Sequence, residues 1–218
     1  LLDESIEDVP FIQTIFSPIT TAYKMAGDRI FNDIKEDPVR IHRALQVITN
    51  TTISFIKANI EAGVSGFFFA TQLANYSFMS DIEYDEFGVK YDLQLFETFK
   101  DKTFFNVLHI HSFSEEGSMF ERLVNYPANC INWHDRWVGP SLQKARKITP
   151  KCLLGGINEE NFFNKVDSDE VYGHVKEAIE ATDKKGFILG PGCTIYEDTP
   201  MTNYYAARLA VERYGYKK

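Results

Sequence analysis

The chain has little cysteine and no paired cysteine motif. Its three cysteines, Cys130, Cys152 and Cys193, are too widely spaced for a disulfide framework or a CxxC zinc module, which fits a reducing cytoplasm. Long apolar runs are missing too. No stretch approaches the roughly 20 residues that span a bilayer, and the opening LLDESIEDVP lacks the basic and apolar regions of a secretory leader, so neither membrane insertion nor export is expected. Basic excess is absent: 31 acidic against 23 basic side chains, net −8, argue against a nucleic-acid or anionic-membrane surface. Small molecules or proteins are the expected partners.

With 218 residues, 44% hydrophobic and 14% aromatic, the chain can bury a sizeable core, and residues 1–218 read as a single domain without repeat, linker or low-complexity segment. Short apolar runs ending in Gly, Pro or polar clusters alternate with helical periodicity. Strands are expected at 9–17, 64–71, 104–112, 128–135, 151–157 and 186–192. Between and after them, helices are expected at 37–62, at 84–99 with a break near Gly88, and at 120–126, 140–148, 169–182 and 199–214, the last with Pro200 at its first position. Thr20, Thr21 and Tyr23 fall in a loop after the first strand. This alternation implies right-handed βαβ units and a parallel sheet. A TIM-type (β/α)8 barrel with six of its βα units in this chain is the expected α/β fold, and a six-stranded doubly wound sheet is the alternative.

Both folds place chemistry at the carboxyl ends of strands. In GFILGPGCTIYEDTP, residues 186–200, Gly190, Pro191 and Gly192 end a buried strand and present Cys193. His109 and His111 lie two apart on the third strand, so they project from one face. Two imidazoles and a thiolate could surround a zinc with the fourth position open; the alternative is one core histidine, one loop histidine and a buried thiol. The fourth strand ends in NWHDR. Here His134 is a candidate proton-transfer group and Arg136 a candidate holder of a carboxylate or phosphate. Asn132, on the face of His134, and Gly192 are candidate cofactor contacts, and Tyr23 offers a hydroxyl after the first strand. A salt bridge and turn hydrogen bonds organising the NWHDR loop are the alternative for that cluster. Gly155 and Gly156 suit a close backbone approach, Glu159 and Glu160 read as the acidic start of a helix, and Cys130 and Cys152 as inert core thiols.

Taken in order, FSPIT at 16–20, EDP at 36–38, IEAGVSGF at 60–67, LHIHS at 108–112, LLGGI at 153–157 and the closing FILGPGCTIYEDTP resemble the uroporphyrinogen decarboxylase superfamily over nearly the whole chain. That superfamily includes zinc-dependent methyltransferases that move a methyl group from a corrinoid to a thiol. The resemblance implies a barrel longer than this chain, with the missing part N-terminal. It also implies zinc ligands at His109 and Cys193, with His111 standing where the methyltransferases carry a cysteine. Pro191 stands where true decarboxylases carry a histidine, and Tyr23 falls within one position of their active-site tyrosine. The leading expectation is methyl transfer with zinc and a corrinoid methyl donor. Decarboxylation of tetrapyrrole acetate side chains comes second, and a non-catalytic tetrapyrrole or corrinoid binder third. The partners this implies are a tetrapyrrole, a corrinoid protein or a thiol, and a second copy in a homodimer.

Overall fold

A computed structural model describes residues 9–113, 117–160 and 162–215. The stretch 1–8, which carries most of the segment read for a leader, lies outside them. Six strands each precede helix: β1 (Ile12–Phe16), β2 (Gly66–Thr71), β3 (Val107–Ile110), β4 (Cys130–Trp133), β5 (Cys152–Ile157) and β6 (Phe187–Pro191), in sheet order equal to chain order. This is an α/β fold of TIM-barrel type with six βα units. The chain divides into two compact units. The first runs to His109 and includes Asn125–Asn129; the second comprises Ile110–Val124 and the residues from Cys130 onward.

In the first unit β1 and β2 are parallel, in register from Ile12 opposite Gly66 to Phe16 opposite Ala70. Gly66 is required there, because a Cβ would lie 1.7 Å from the Phe105 carbonyl oxygen. The expected loop after β1 is instead helix α1 (Pro18–Ala26), which carries Thr20, Thr21 and Tyr23. Ser17 accepts from the Thr20 amide at 3.2 Å and Pro18 fills the first turn, a start signal for a helix. A second helix, α2 (Arg29–Glu36), follows where the sequence pattern shows none. Helix α3 (Pro38–Glu61) starts as expected, with Asp37 accepting from the Arg40 amide. Helix α4 (Asp81–Tyr84) and α5 (Lys90–Phe99) are joined by a π-helical turn, Asp85–Val89, so the expected break at Gly88 is an underwound turn. Phe67, Phe69, Phe96 and Phe99 interlock in the core with ring centroids 4.7–5.0 Å apart. Beside them the Tyr84 and Tyr126 hydroxyls donate to Asp92 Oδ2 at 3.0 and 2.9 Å.

In the second unit β4, β5 and β6 run parallel, with Cys130 opposite Cys152 and Ile157 opposite Pro191. Helices α6 (Phe120–Leu123), α7 (Leu142–Ile148), α8 (Ser168–Ala181) and α9 (Met201–Tyr214) complete it. Pro200 is the N-cap of α9 rather than its first residue. The apolar faces of α8 and α9 meet through Val171, Val175, Ile179, Ala206, Ala207 and Ala210, together with Ile157 from β5. Asn132 ties the three strands where they end: its amide donates to the carbonyls of Leu154 and Pro191, each at 3.0 Å.

Candidate active site at four successive strand ends

Within the second unit, four consecutive strands each deliver one side chain. His111 follows β3 by one residue, His134 follows β4 by one, Glu159 follows β5 by two and Cys193 follows β6 by two. A parallel sheet brings its carboxyl ends to one edge, so this spacing alone makes the four neighbours. They line a pocket of about 390 Å3 with Phe113, Trp137 and Tyr196.

Glu159 is the organiser. Its side chain and that of His134 are only 2% and 3% exposed, and Oε1 lies 2.5 Å from His134 Nδ1. The same oxygen accepts from Trp137 Nε1 at 3.1 Å, and Oε2 accepts from the Gly192 amide at 3.0 Å. Burial pushes the carboxyl upward, but the hydrogen bonds from His134, from its own backbone N–H and from Trp137 outweigh that and hold it below the usual range. A carboxylate at Nδ1 keeps the imidazole proton on that nitrogen and leaves Nε2 as a lone-pair donor. Gly192 makes the arrangement fit. A Cβ there would stand 2.8 Å from both Glu159 oxygens and from the Trp133 carbonyl.

His134 Nε2 faces His111 Nδ1 at 3.1 Å, and His111 Nδ1 lies 3.5 Å from Cys193 Sγ. The three donor atoms lie within 4.8 Å of one another. Nitrogen and sulfur ligands at zinc bond lengths of about 2.0–2.3 Å in a tetrahedron stand about 3.3–3.6 Å apart, so the spacing fits a divalent metal of zinc's size. Burial is the main influence raising the Cys193 thiol, and Glu159 and Glu160 raise it further against the opposing Thr194 hydrogen bonds. A cation at the cluster is what would favour the thiolate.

His111, His134 and Cys193 come together. His109, buried on β3 in the first unit, stacks on Phe68 at 5.3 Å. Tyr23, on α1, donates to Asp28 at 3.3 Å and packs near Phe31 and Phe78. Arg136 is spent on the scaffold: it donates to the carbonyls of Gly156 and His174 and pairs with Glu177 and Asp135. Asp135 in turn accepts from the Gly156 amide, and a Cβ on Gly155 would come 2.6 Å from its carboxylate. These bonds fit the loop-organising alternative for NWHDR. Glu159 was misread. No helix begins there, since α8 starts at Ser168, and the strand-end rule that singled out Cys193 would have found it.

Fold and site together define a TIM-type α/β protein with a histidine and cysteine donor cluster at its strand ends. The chain belongs to the uroporphyrinogen decarboxylase family: the model described as Uroporphyrinogen decarboxylase (URO-D) matches residues 1–214. It is 34% identical over 218 residues to the uroporphyrinogen decarboxylase of Flavobacterium johnsoniae, covering 96% of this chain and 61% of the relative. It is 20% identical over 216 residues to the methylcobamide:CoM methyltransferase MtbA of Methanosarcina mazei, covering 96% and 60%. Among solved structures, a methyltransferase from Methanosarcina mazei superposes with a TM-score of 0.80 at 21% identity, covering 97% of this chain and 61% of that one. The chain thus spans about 60% of the length of the curated relatives it matches.

Proposed function

We propose that the protein is a zinc-dependent methyltransferase of this family that moves a methyl group from a corrinoid to a small thiol. The observation that carries this reading is the convergence of His111 Nδ1, His134 Nε2 and Cys193 Sγ. Zinc held by these atoms would take a substrate thiol into its open position and lower that thiol's pKa, making it nucleophilic at neutral pH. The chain's own residues supply the rest. Glu159 holds the Nδ1 proton of His134 and so aims Nε2 into the cluster, while Gly192 admits Glu159 to its place. Phe113, Trp137, Ile195 and Tyr196 wall the pocket against water and fit the carbon skeleton of a small thiol.

Metal analysis by mass spectrometry tests it. Purified protein is expected to carry about one zinc per chain, lost in Cys193→Ala and His134→Ala. The His109→Ala variant tests the place in the donor set that the sequence suggested for that residue. Intact protein that takes up no zinc sinks the reading. A second reading, decarboxylation of tetrapyrrole acetate groups, is favoured by the 34% and 32% identities to two proteins named uroporphyrinogen decarboxylase, the second from Christiangramia forsetii. Turnover of uroporphyrinogen to coproporphyrinogen by metal-free protein would decide for it.

A further inference from the structure

The sequence reads Cys130 and Cys152 as inert core thiols, but the strand register makes them a pair. They are directly opposed at the amino ends of β4 and β5, the first pair of that ladder. Parallel neighbours in register point to the same side of the sheet, and their Cα atoms stand about 4.8 Å apart, inside the range of about 4.4–6.8 Å that disulfides span. The two thiols differ in access, since Cys130 is fully buried and Cys152 is partly exposed. Arg146 adds a charge. Its guanidinium donates to the carbonyls of Thr149, Lys151, Lys185 and Gly186, none of which neutralises it, and one of which belongs to the residue preceding Cys152.

We propose that Cys130 and Cys152 form a redox-active dithiol, oxidised by hydrogen peroxide to a reversible disulfide between β4 and β5. In the first step the Cys152 sulfur attacks one peroxide oxygen, the O–O bond breaks, and water leaves once the departing oxygen is protonated; Cys152 becomes a sulfenic acid. In the second, Cys130 sulfur attacks the sulfenic sulfur, the S–O bond breaks, and a second water carries away the hydroxyl and the Cys130 proton. Two thiols are oxidised by two electrons and one hydrogen peroxide is reduced.

The order of the steps follows from the surroundings. The neighbouring Cys130 thiol, with the Arg146 charge behind it, lowers the Cys152 thiol against its burial. The neighbouring Cys152 thiol, and then burial, push Cys130 upward, so it keeps its proton and serves as the resolving thiol. The pair is independent of Cys193 and of any metal held there.

Peptide mapping of the intact wild-type chain after hydrogen peroxide treatment and alkylation tests this directly. Trypsin cuts at Arg136 and Lys151 place the two cysteines in different peptides. The expected product is the two peptides joined, two hydrogens lighter than their sum and separated by dithiothreitol. Cys130→Ser is expected to leave a sulfenic acid on Cys152 that dimedone traps, and Cys152→Ser to leave Cys130 unoxidised. Both cysteines recovered as alkylated thiols, at peroxide doses that oxidise glutathione, would overturn the proposal. So would a crosslink of either one to Cys193, or a sulfenic acid on Cys130. The wild-type crosslink decides even where a serine variant does not fold.

Discussion

Glu159 Oε1 lies 2.5 Å from Nδ1 of His134, with both side chains buried, and the same carboxylate accepts from the Gly192 amide and the Trp137 indole. One group therefore sets the imidazole tautomer, the start of the Cys193 turn and one pocket wall. Glu159→Gln keeps the size but loses the charge and replaces an acceptor oxygen with an NH2 group. It is expected to weaken metal retention by about 10–100-fold, the range typical of residues that orient a metal-binding histidine. Titration with a competing chelator measures this. Unchanged affinity would show that His134 needs no orienting partner.

Gly192→Ala should act on the same contact from the other side. The added Cβ would stand 2.8 Å from two carboxylate oxygens and a carbonyl, and backbone on one side of it has little freedom to give. A cost of about 1–3 kcal/mol, read as a lower unfolding midpoint in urea, is expected from overpacking. Gly190→Ala is the control, because its Cβ would meet only Leu154 side-chain atoms at 3.5 Å or beyond. Equal effects of the two substitutions would remove Glu159 from the explanation.

The sequence exposes the six strands because each is a short apolar run cut off by Gly, Pro or a polar cluster, and their observed ends differ from expectation by three residues at most. It hides α1 because SPITTAYKMA mixes β-branched residues with a cap signature that only becomes decisive once Ser17 is seen bonding Thr20. At the candidate site, the places of His111, His134 and Cys193 after strand ends are legible, although the sequence offers His134 as a proton-transfer group and His109 as a donor beside His111 and Cys193. Glu159 is not, because an acidic residue near an expected helix start has an ordinary explanation in the helix dipole. The cysteine pair is hidden for another reason: the register that opposes Cys130 to Cys152 is a property of the sheet, and 22 positions of sequence separate them.

His174, on α8, accepts the Asn158 amide at Nε2 over 3.1 Å, and burial, then the nearby Arg136 charge, lower its pKa from 6.5 to about 4. The unfolded chain binds this proton first as pH falls, so stability is lost between about pH 6.5 and 4. His174→Gln removes the titration. Its stability relative to wild type is expected to rise by about 1.4 kcal/mol for each unit of acidification in that window, as followed by urea denaturation at pH 5 and 6. A constant difference would mean that His174 titrates normally.

Asp92 should give the opposite slope. It is fully buried, Oδ2 accepts from Tyr84 and Tyr126, and Oδ1 has no hydrogen-bond partner among the described residues. Burial raises its pKa from 3.8 to about 7 despite the two tyrosine bonds. Here the folded state keeps the proton that the unfolded chain has already released. The contribution of Asp92 to stability is therefore greatest below about pH 4 and falls as pH rises toward 7, where the carboxylate finally ionises in place. Asp92→Asn retains an acceptor for the tyrosines and cannot ionise. Its stability relative to wild type is expected to increase by about 1.4 kcal/mol per pH unit from about 4 to about 7 and to level off above that. A variant equally stabilised or destabilised at pH 4.5 and 6.5 would show that Asp92 is already charged in the folded core at the lower pH.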